Sequence, residues 1–194
     1  DKALIIWYLV VFVALAVYGF QRSQLVYLYY RYRSNRPEPL GRLQTLPKVT
    51  VQLPLFNEMY VAPRLLESVA KIRYPRELLE IQVLDDSTDE TQELCKRKVE
   101  ELRKTGIDIT YVHRTDRTGF KAGALENGLK TAKGEFILVF DADFLPHADI
   151  LERTIHFFSD PKIGMVQVRW DHINRDYSAL TEVQALMLDG HFVI

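Results

Sequence analysis

A chain of 194 residues with 47% hydrophobic composition is long enough for one cored domain plus an appendage, and does not depend on covalent staples to fold. A net charge of -1, with 26% charged residues, gives no global electrostatic basis for nucleic acid as a partner. Cys95 is the single cysteine, which excludes an intrachain disulfide and a cysteine-based zinc site and favours a reducing compartment.

The chain opens at Asp1 without an initiator Met and is read as a fragment. From Ala3 to Phe20 it carries no charged residue, and about 18 residues at about 1.5 Å rise give roughly 27 Å, close to a hydrocarbon core. Gln21 to Gln24 interrupts the apolar run, then Leu25 to Tyr30 continues it with three tyrosines, followed by Arg31, Arg33 and Arg36. Residues 1–36 are therefore expected to form one transmembrane helix with an aromatic, basic exit, and the positive-inside rule puts the remainder on the cytosolic side. A signal peptide cleaved near Ala14-Leu15-Ala16 and a buried core helix are the alternatives. Cleavage would leave an apolar new terminus, and a soluble core helix is rarely apolar on every face. Pro37, Pro39, Gly41 and Pro47 mark residues 37–47 as a linker.

Residues 48–194 read as the globular part, cut short at its carboxyl end. Hydrophobic patterning predicts strands at 49–54, 81–84, 108–112, 135–140 and 163–169. Helices are predicted at 61–72, 89–104, 121–132, 148–158 and from Ser178 onward. This alternation is repeated βα wiring, the signature of an α/β fold.

Two acidic clusters stand at strand ends: Asp85-Asp86-Ser87-Thr88-Asp89 after Ile81-Gln82-Val83-Leu84, and Asp141-Ala142-Asp143 after Phe136-Ile137-Leu138-Val139-Phe140. Both preceding runs read as buried strands, and ligands of open α/β sheets bind outside the carboxyl ends of strands. If the last strand persists, Asp141 and Asp143 project to one side and Ala142 to the other. Like charges about 4 Å apart repel by about 4 kcal/mol at an effective dielectric near 20, so such a pair recruits a hard cation or shares a proton. Mg²⁺ or Mn²⁺ fits oxygen ligands, and a bridging ion would bind a diphosphate leaving group. The alternative is a solvated turn that caps the next helix. The Asp85–Asp89 cluster is likewise open to a capping role, since Ser, Thr and Asp satisfy free backbone N–H groups.

The segment from His113 to Gly123 is basic, and Lys121 at a predicted helix start opposes the helix dipole unless an anion lies nearby. A surface loop with snorkelling basic side chains is the other reading. No Gly-rich dinucleotide or P-loop pattern follows the first strand, which runs into Pro54-Leu55-Phe56-Asn57-Glu58. The five histidines show no paired ligand spacing.

Taken in order, Pro54-Leu55-Phe56-Asn57-Glu58, Val83-Leu84-Asp85-Asp86-Ser87-Thr88-Asp89, Gly119-Phe120-Lys121-Ala122-Gly123-Ala124-Leu125 and Phe140-Asp141-Ala142-Asp143 resemble family 2 glycosyltransferases. The likeness is to membrane members of the cellulose-synthase-like and glucomannan mannosyltransferase-like kind, and it covers about residues 48 to 194. It implies the GT-A nucleotide-diphospho-sugar transferase fold, with a Rossmann-like mixed sheet, behind a transmembrane helix. It also implies a UDP- or GDP-sugar donor, Mg²⁺ or Mn²⁺, a glycan or lipid acceptor, and inversion at the anomeric carbon, for β-glycan or glycolipid synthesis at a membrane.

Carried over by motif, the resemblance puts Asp86, with Asp85 beside it, at the nucleobase end, and the Phe56-Asn57-Glu58 turn beneath the base. Lys121 lies near the nucleotide, Asp141 on the ribose or sugar side, and the metal falls to Asp143 with Asp141. Asp86 and Asp143 are the expected catalytic-site carboxylates. The family's Thr-Glu-Asp base motif and Gln-x-x-Arg-Trp acceptor motif normally lie beyond Ile194. Gln167-Val168-Arg169-Trp170 has one residue too few between Gln and Arg, and is read as a strand end beside the donor site. Glu182 and Asp189 fall in a predicted helix as solvated charges, so no base is assigned. Two other readings compete: a nucleotide-sugar-binding module without turnover, and a haloacid-dehalogenase-like phosphotransferase, whose Asp-x-Asp normally ends the first strand.

Overall fold

The computed structural model describes residues 2–32, 34 and 37–193, with only the backbone at 189–193. The expected exit residues Arg33 and Arg36 lie outside the described residues, as does the Asp189 side chain. The chain divides into two units, residues 39–164 and residues 1–38 with 165–194.

In the larger unit, four strands form a parallel sheet: β1 (Val49–Leu55), β2 (Leu79–Asp85), β3 (Asp108–His113) and β4 (Phe136–Val139), in the order β3-β2-β1-β4. Helices α2 (Ala62–Val69), α3 (Thr91–Lys104), α4 (Phe120–Leu129) and α5 (Ile150–Thr154) connect or follow them. Parallel strands need such crossovers, and every second residue of a strand faces the same way. Val49, Val51, Leu53 and Leu55 of β1 and Leu79, Ile81 and Val83 of β2 thus make one apolar face. It packs on Ala62, Leu65, Leu66 and Val69 of α2 and on Cys95, Val99 and Leu102 of α3.

The opposite face of β1 and β2 is polar and equally dry. Register pairs Thr50 with Glu80 and Gln52 with Gln82. The Thr50 hydroxyl donates to Glu80 Oε2 at 2.6 Å, and Gln52 Nε2 donates to Gln82 Oε1 at 3.0 Å. Buried polar groups are tolerated only when partnered in this way. Glu80 Oε2 also accepts from the Lys133 N–H, and Thr50 Oγ1 from the Gly134 N–H, both at 2.8 Å, which moors the loop into β4. Helix α4 lies close over this layer: a Cβ on Gly128 would stand 2.6 Å from Gln52 Nε2.

Three sequence expectations are corrected here. β4 is an edge strand rather than a fully buried one: Phe136 and Leu138 pack on the core, while Ile137 and Val139 are 37% and 40% exposed, because α4 covers β1 and β2 instead. The helix expected at 148–158 is α5 followed by a 3-10 turn over Ile155–Ser159. Residues 163–169 form no strand, and a strand exists only where a neighbour completes its ladder.

In the other unit, α1 runs unbroken from Lys2 to Tyr32 with no buried residue. The polar stretch at 21–24 continues the helix because its side chains turn back on it: Arg22 Nη2 donates to Tyr18 Oη at 2.8 Å and Ser23 Oγ to the Gly19 carbonyl at 3.1 Å. Helix α6 (Ala179–Val193) closes the chain, with Glu182 exposed. Trp170 and Arg169 of the look-alike Gln-Val-Arg-Trp segment are exposed and outside any strand.

Candidate functional site

The strand order changes direction at β1: the chain steps to β2 and β3 on one side, then returns to β4 on the other. A crevice opens outside the carboxyl ends at such a switch point. Here it is an open cleft of about 460 Å³ lined by Phe56, Glu58, Asp86, Arg117, Lys121, Asp141 and Asp143, with Pro54, Leu55, Ala124 and Ala142 as its apolar wall.

Each loop is held by identifiable bonds. After β1, Asn57 takes a left-handed backbone, φ 55°, which Asn tolerates better than most residues. Its N–H donates to Ser87 Oγ at 2.8 Å, and its Oδ1 accepts from the Thr88 N–H at 2.9 Å. The loops that follow β1 and β2 are thereby latched together, with Phe56 and Glu58 on the cleft.

The two aspartates that end β2 have different fates. Asp85 is fully buried and is not brought to the cleft. Its Oδ1 accepts from the Ser87 N–H at 2.9 Å and its Oδ2 from the Tyr111 hydroxyl at 2.6 Å. Burial, then this carboxylate, pushes the Tyr111 phenol well above its ordinary range. Asp86 does line the cleft, gripped by Arg114: Nε donates to Oδ1 at 2.8 Å and Nη2 to Oδ2 at 2.5 Å. This two-pronged bond holds the Arg114 guanidinium above its usual pKa. Of the rest of the cluster, Ser87 and Thr88 belong to the latch with Asn57, and Asp89 turns to the start of α3, where its Oδ1 accepts from the Thr91 N–H at 3.0 Å.

Asp141 and Asp143 both reach the cleft, but not by strand alternation. β4 ends at Val139, and a turn closed by the Phe144 N–H on the Asp141 carbonyl carries both carboxylates, with Ala142 also on the lining. Lys121, in the first turn of α4, forms an ion pair with Asp141. That pair removes the conflict with the helix dipole noted from the sequence.

Arg117 stands outside the expected site residues yet lines the cleft. The only signal for it in the sequence is its place in the basic segment two residues before Gly119, whose left-handed φ of 76° and that of Phe120, 49°, fold the segment back. Nearby Asp116 is held below the usual carboxylate range by the Thr118 hydroxyl and N–H.

No group of three or more His, Cys, Asp or Glu side chains is arranged to hold a metal among the described residues. Asp141 and Asp143 still suit a hard divalent ion, because Mg²⁺ and similar ions are commonly held by one or two carboxylates, with waters and substrate phosphates completing the shell.

The family model for glycosyl transferase family 2 matches residues 50–189. Glucomannan 4-beta-mannosyltransferase 7 of Arabidopsis thaliana is 35% identical over 186 residues, covering 88% of this chain and 34% of that protein. Glucomannan 4-beta-mannosyltransferase 2 of Arabidopsis thaliana is 41% identical over 162 residues, covering 81% and 30%. The chain thus spans about a third of the length of these curated relatives. Among solved structures, the mannosyltransferase PcManGT from Pyrobaculum calidifontis, in complex with GDP-Man and Mn²⁺, superposes with a TM-score of 0.68 at 31% identity, over 84% of this chain and 48% of that one. TarS of S. aureus superposes at 0.50 with 26% identity, over 58% and 19%.

Proposed function

The chain belongs to glycosyl transferase family 2 and has a GT-A fold, and from that premise we propose that it is the donor-binding part of a membrane-anchored, inverting hexosyltransferase that takes a nucleotide-sugar and extends a β-glycan or glycolipid. The observation that carries this reading is the gathering of Asp86, Asp141, Asp143, Arg117 and Lys121 from three loops and the start of α4 into one cleft. A GDP-hexose is the favoured donor, since the relatives are named as mannosyltransferases and the PcManGT structure holds GDP-Man. The haloacid-dehalogenase alternative loses its footing, because the Asp-x-Asp here follows the fourth strand.

The roles follow from position. The base lies over the Phe56 turn with Asp86, fixed by the two-pronged bond from Arg114, as acceptor for its N–H groups. Asp141 and Asp143 would hold a divalent ion, which as a Lewis acid offsets the charge that develops on the departing diphosphate. Lys121, paired with Asp141, would keep its remaining donors for a phosphate. α1 anchors the chain, being long and apolar enough to cross a bilayer, and the domain faces the cytosol.

Calorimetric titration of the detergent-solubilised protein with GDP-mannose, GDP-glucose, UDP-glucose and UDP-N-acetylglucosamine, with Mn²⁺, Mg²⁺ or EDTA, tests the reading. Metal-dependent binding of at least one donor is expected. Binding of none in any metal would end it.

A further inference from the structure

Phe56 opens the loop after β1 and Arg117 lies between β3 and α4, and the Arg117 guanidinium sits over the Phe56 ring. The guanidinium carbon of Arg117 stands 3.1 Å from the centre of the Phe56 ring and 5.2 Å from that of Phe120. A cation over an aromatic face is attracted by the ring quadrupole, and arginine stacks there flat. The arrangement is nevertheless unfinished. Arg117 Nε is buried and finds no hydrogen-bond partner among the described residues. Arg117 also forms no ion pair with any described carboxylate, whereas Lys121, the other cation on the cleft lining, is paired with Asp141. A planar cation with an unmet donor, lying on an aromatic ring in a cleft, fills the layer of space that a stacked base needs.

We propose that Arg117 is a stand-in for the nucleobase: without donor it caps the Phe56 ring, and on donor binding the base takes that ring face while the guanidinium turns to the diphosphate. The inference rests on the nucleotide-sugar reading and adds a selection rule to it. A nucleoside diphosphate repays the displaced guanidinium with a fork of charge-assisted hydrogen bonds that also satisfies Nε. A nucleoside without phosphates displaces the same group and gives it nothing. Arg117 therefore makes the charge of the donor, rather than its base, the condition for opening the floor.

The test is titration of the solubilised protein, in the presence of Mn²⁺, with guanosine and GDP, and in parallel with uridine and UDP. Wild type is compared with Arg117→Ala, Arg117→Lys and Phe56→Leu, after thermal melts show that each is folded. Arg117→Ala is expected to bind the preferred nucleoside several-fold more tightly than wild type and its diphosphate at least tenfold more weakly. Arg117→Lys, which keeps the charge without the fork, is expected to fall between for the diphosphate. In the Phe56→Leu background, where the ring is gone, adding Arg117→Ala is expected to leave nucleoside affinity unchanged. If both affinities fall together in Arg117→Ala, or nucleoside binding does not rise, Arg117 is an ordinary wall of the cleft and the inference fails while the donor reading stands. If wild type binds neither diphosphate, the donor reading fails and takes the inference with it.

Discussion

Arg114 holds Asp86 with two of its guanidinium nitrogens, one on each carboxylate oxygen, so the acid just past β2 reaches the cleft already fixed in place. Their side chains are 16% and 4% exposed, which places the pair where removing one partner strands a charge. Arg114→Ala is expected to destabilise the fold by about 3 kcal/mol, the low end for a broken buried pair, and to weaken donor binding by at least tenfold. Arg114→Lys keeps one contact and recovers part of both. Urea midpoints and GDP titrations measure this, and an Arg114→Ala protein as stable as wild type would show that the pair contributes little.

Asp143 has no ion-pair partner among the described residues, whereas Asp141 answers to Lys121. Asp143→Asn is therefore expected to lower Mn²⁺-dependent donor affinity by at least tenfold, about 1.4 kcal/mol, and to leave the affinity in EDTA unchanged. Calorimetry with and without metal separates the two. An Asn variant that keeps its metal dependence would remove Asp143 from the site.

The latch at Asn57 combines a left-handed backbone with a side-chain bond to the Thr88 N–H. Asn57→Gly keeps the backbone and loses the bond, at about 1 kcal/mol; Asn57→Ala loses the bond and adds about 1 kcal/mol of strain. The melting temperatures are expected to fall in the order wild type, Gly, Ala. The reverse order of the two variants would show that the backbone relaxes.

Gly128 meets the polar layer of the sheet: a Cβ added there would lie 2.6, 2.8 and 2.9 Å from Gln52 Nε2, Leu84 Cδ1 and Gln82 Oε1. Gly128→Ala is expected to cost about 1–3 kcal/mol by overpacking. Gly164→Ala, with nothing within 4 Å, is the control and is expected to be neutral. Equal melting temperatures for the two would mean that α4 shifts freely off the sheet.

Burial, aided by the charges of Asp85 and Asp89, pushes the Cys95 thiol from an ordinary value of 9.0 up to about 12. The folded state thus holds the thiol proton more tightly than the unfolded chain. This contribution is complete below about pH 9 and is lost as pH rises toward about 12. Wild type is expected to lose up to about 1.4 kcal/mol per pH unit in that window relative to Cys95→Ala. Urea midpoints of the two proteins at pH 7 and pH 10.5 check it, and a constant gap between them contradicts it.

Much of the scaffold was legible in the linear pattern. Strands β1, β2 and β3, the helix α3 with its charged outer face, and the acidic strand ends all follow from periodicity and turn chemistry, which act over a few residues. The same holds for the first part of α1, since the length of its run from Ala3 to Phe20 and the lack of charge there are properties of the segment alone. β4 was legible in position but not in environment, because Ile137 and Val139 look like core residues wherever the chain leaves them. The strand expected at 163–169 failed for a related reason: its pattern is apolar enough, but a ladder needs a neighbour.

The sequence by itself determined the alternation of elements, the apolar amino-terminal helix and the four acidic positions that reach the cleft, Glu58, Asp86, Asp141 and Asp143. Only tertiary structure decided which charges remain available there. Asp85 and Asp86 are adjacent in the chain, yet Tyr111 takes one inward while Arg114 fixes the other at the cleft, and Arg117 covers Phe56 from a loop far along the sequence. The reason is range: propensity and hydrophobic period are set by near neighbours, whereas the availability of a charge is set by whichever distant donor the fold brings within about 3 Å.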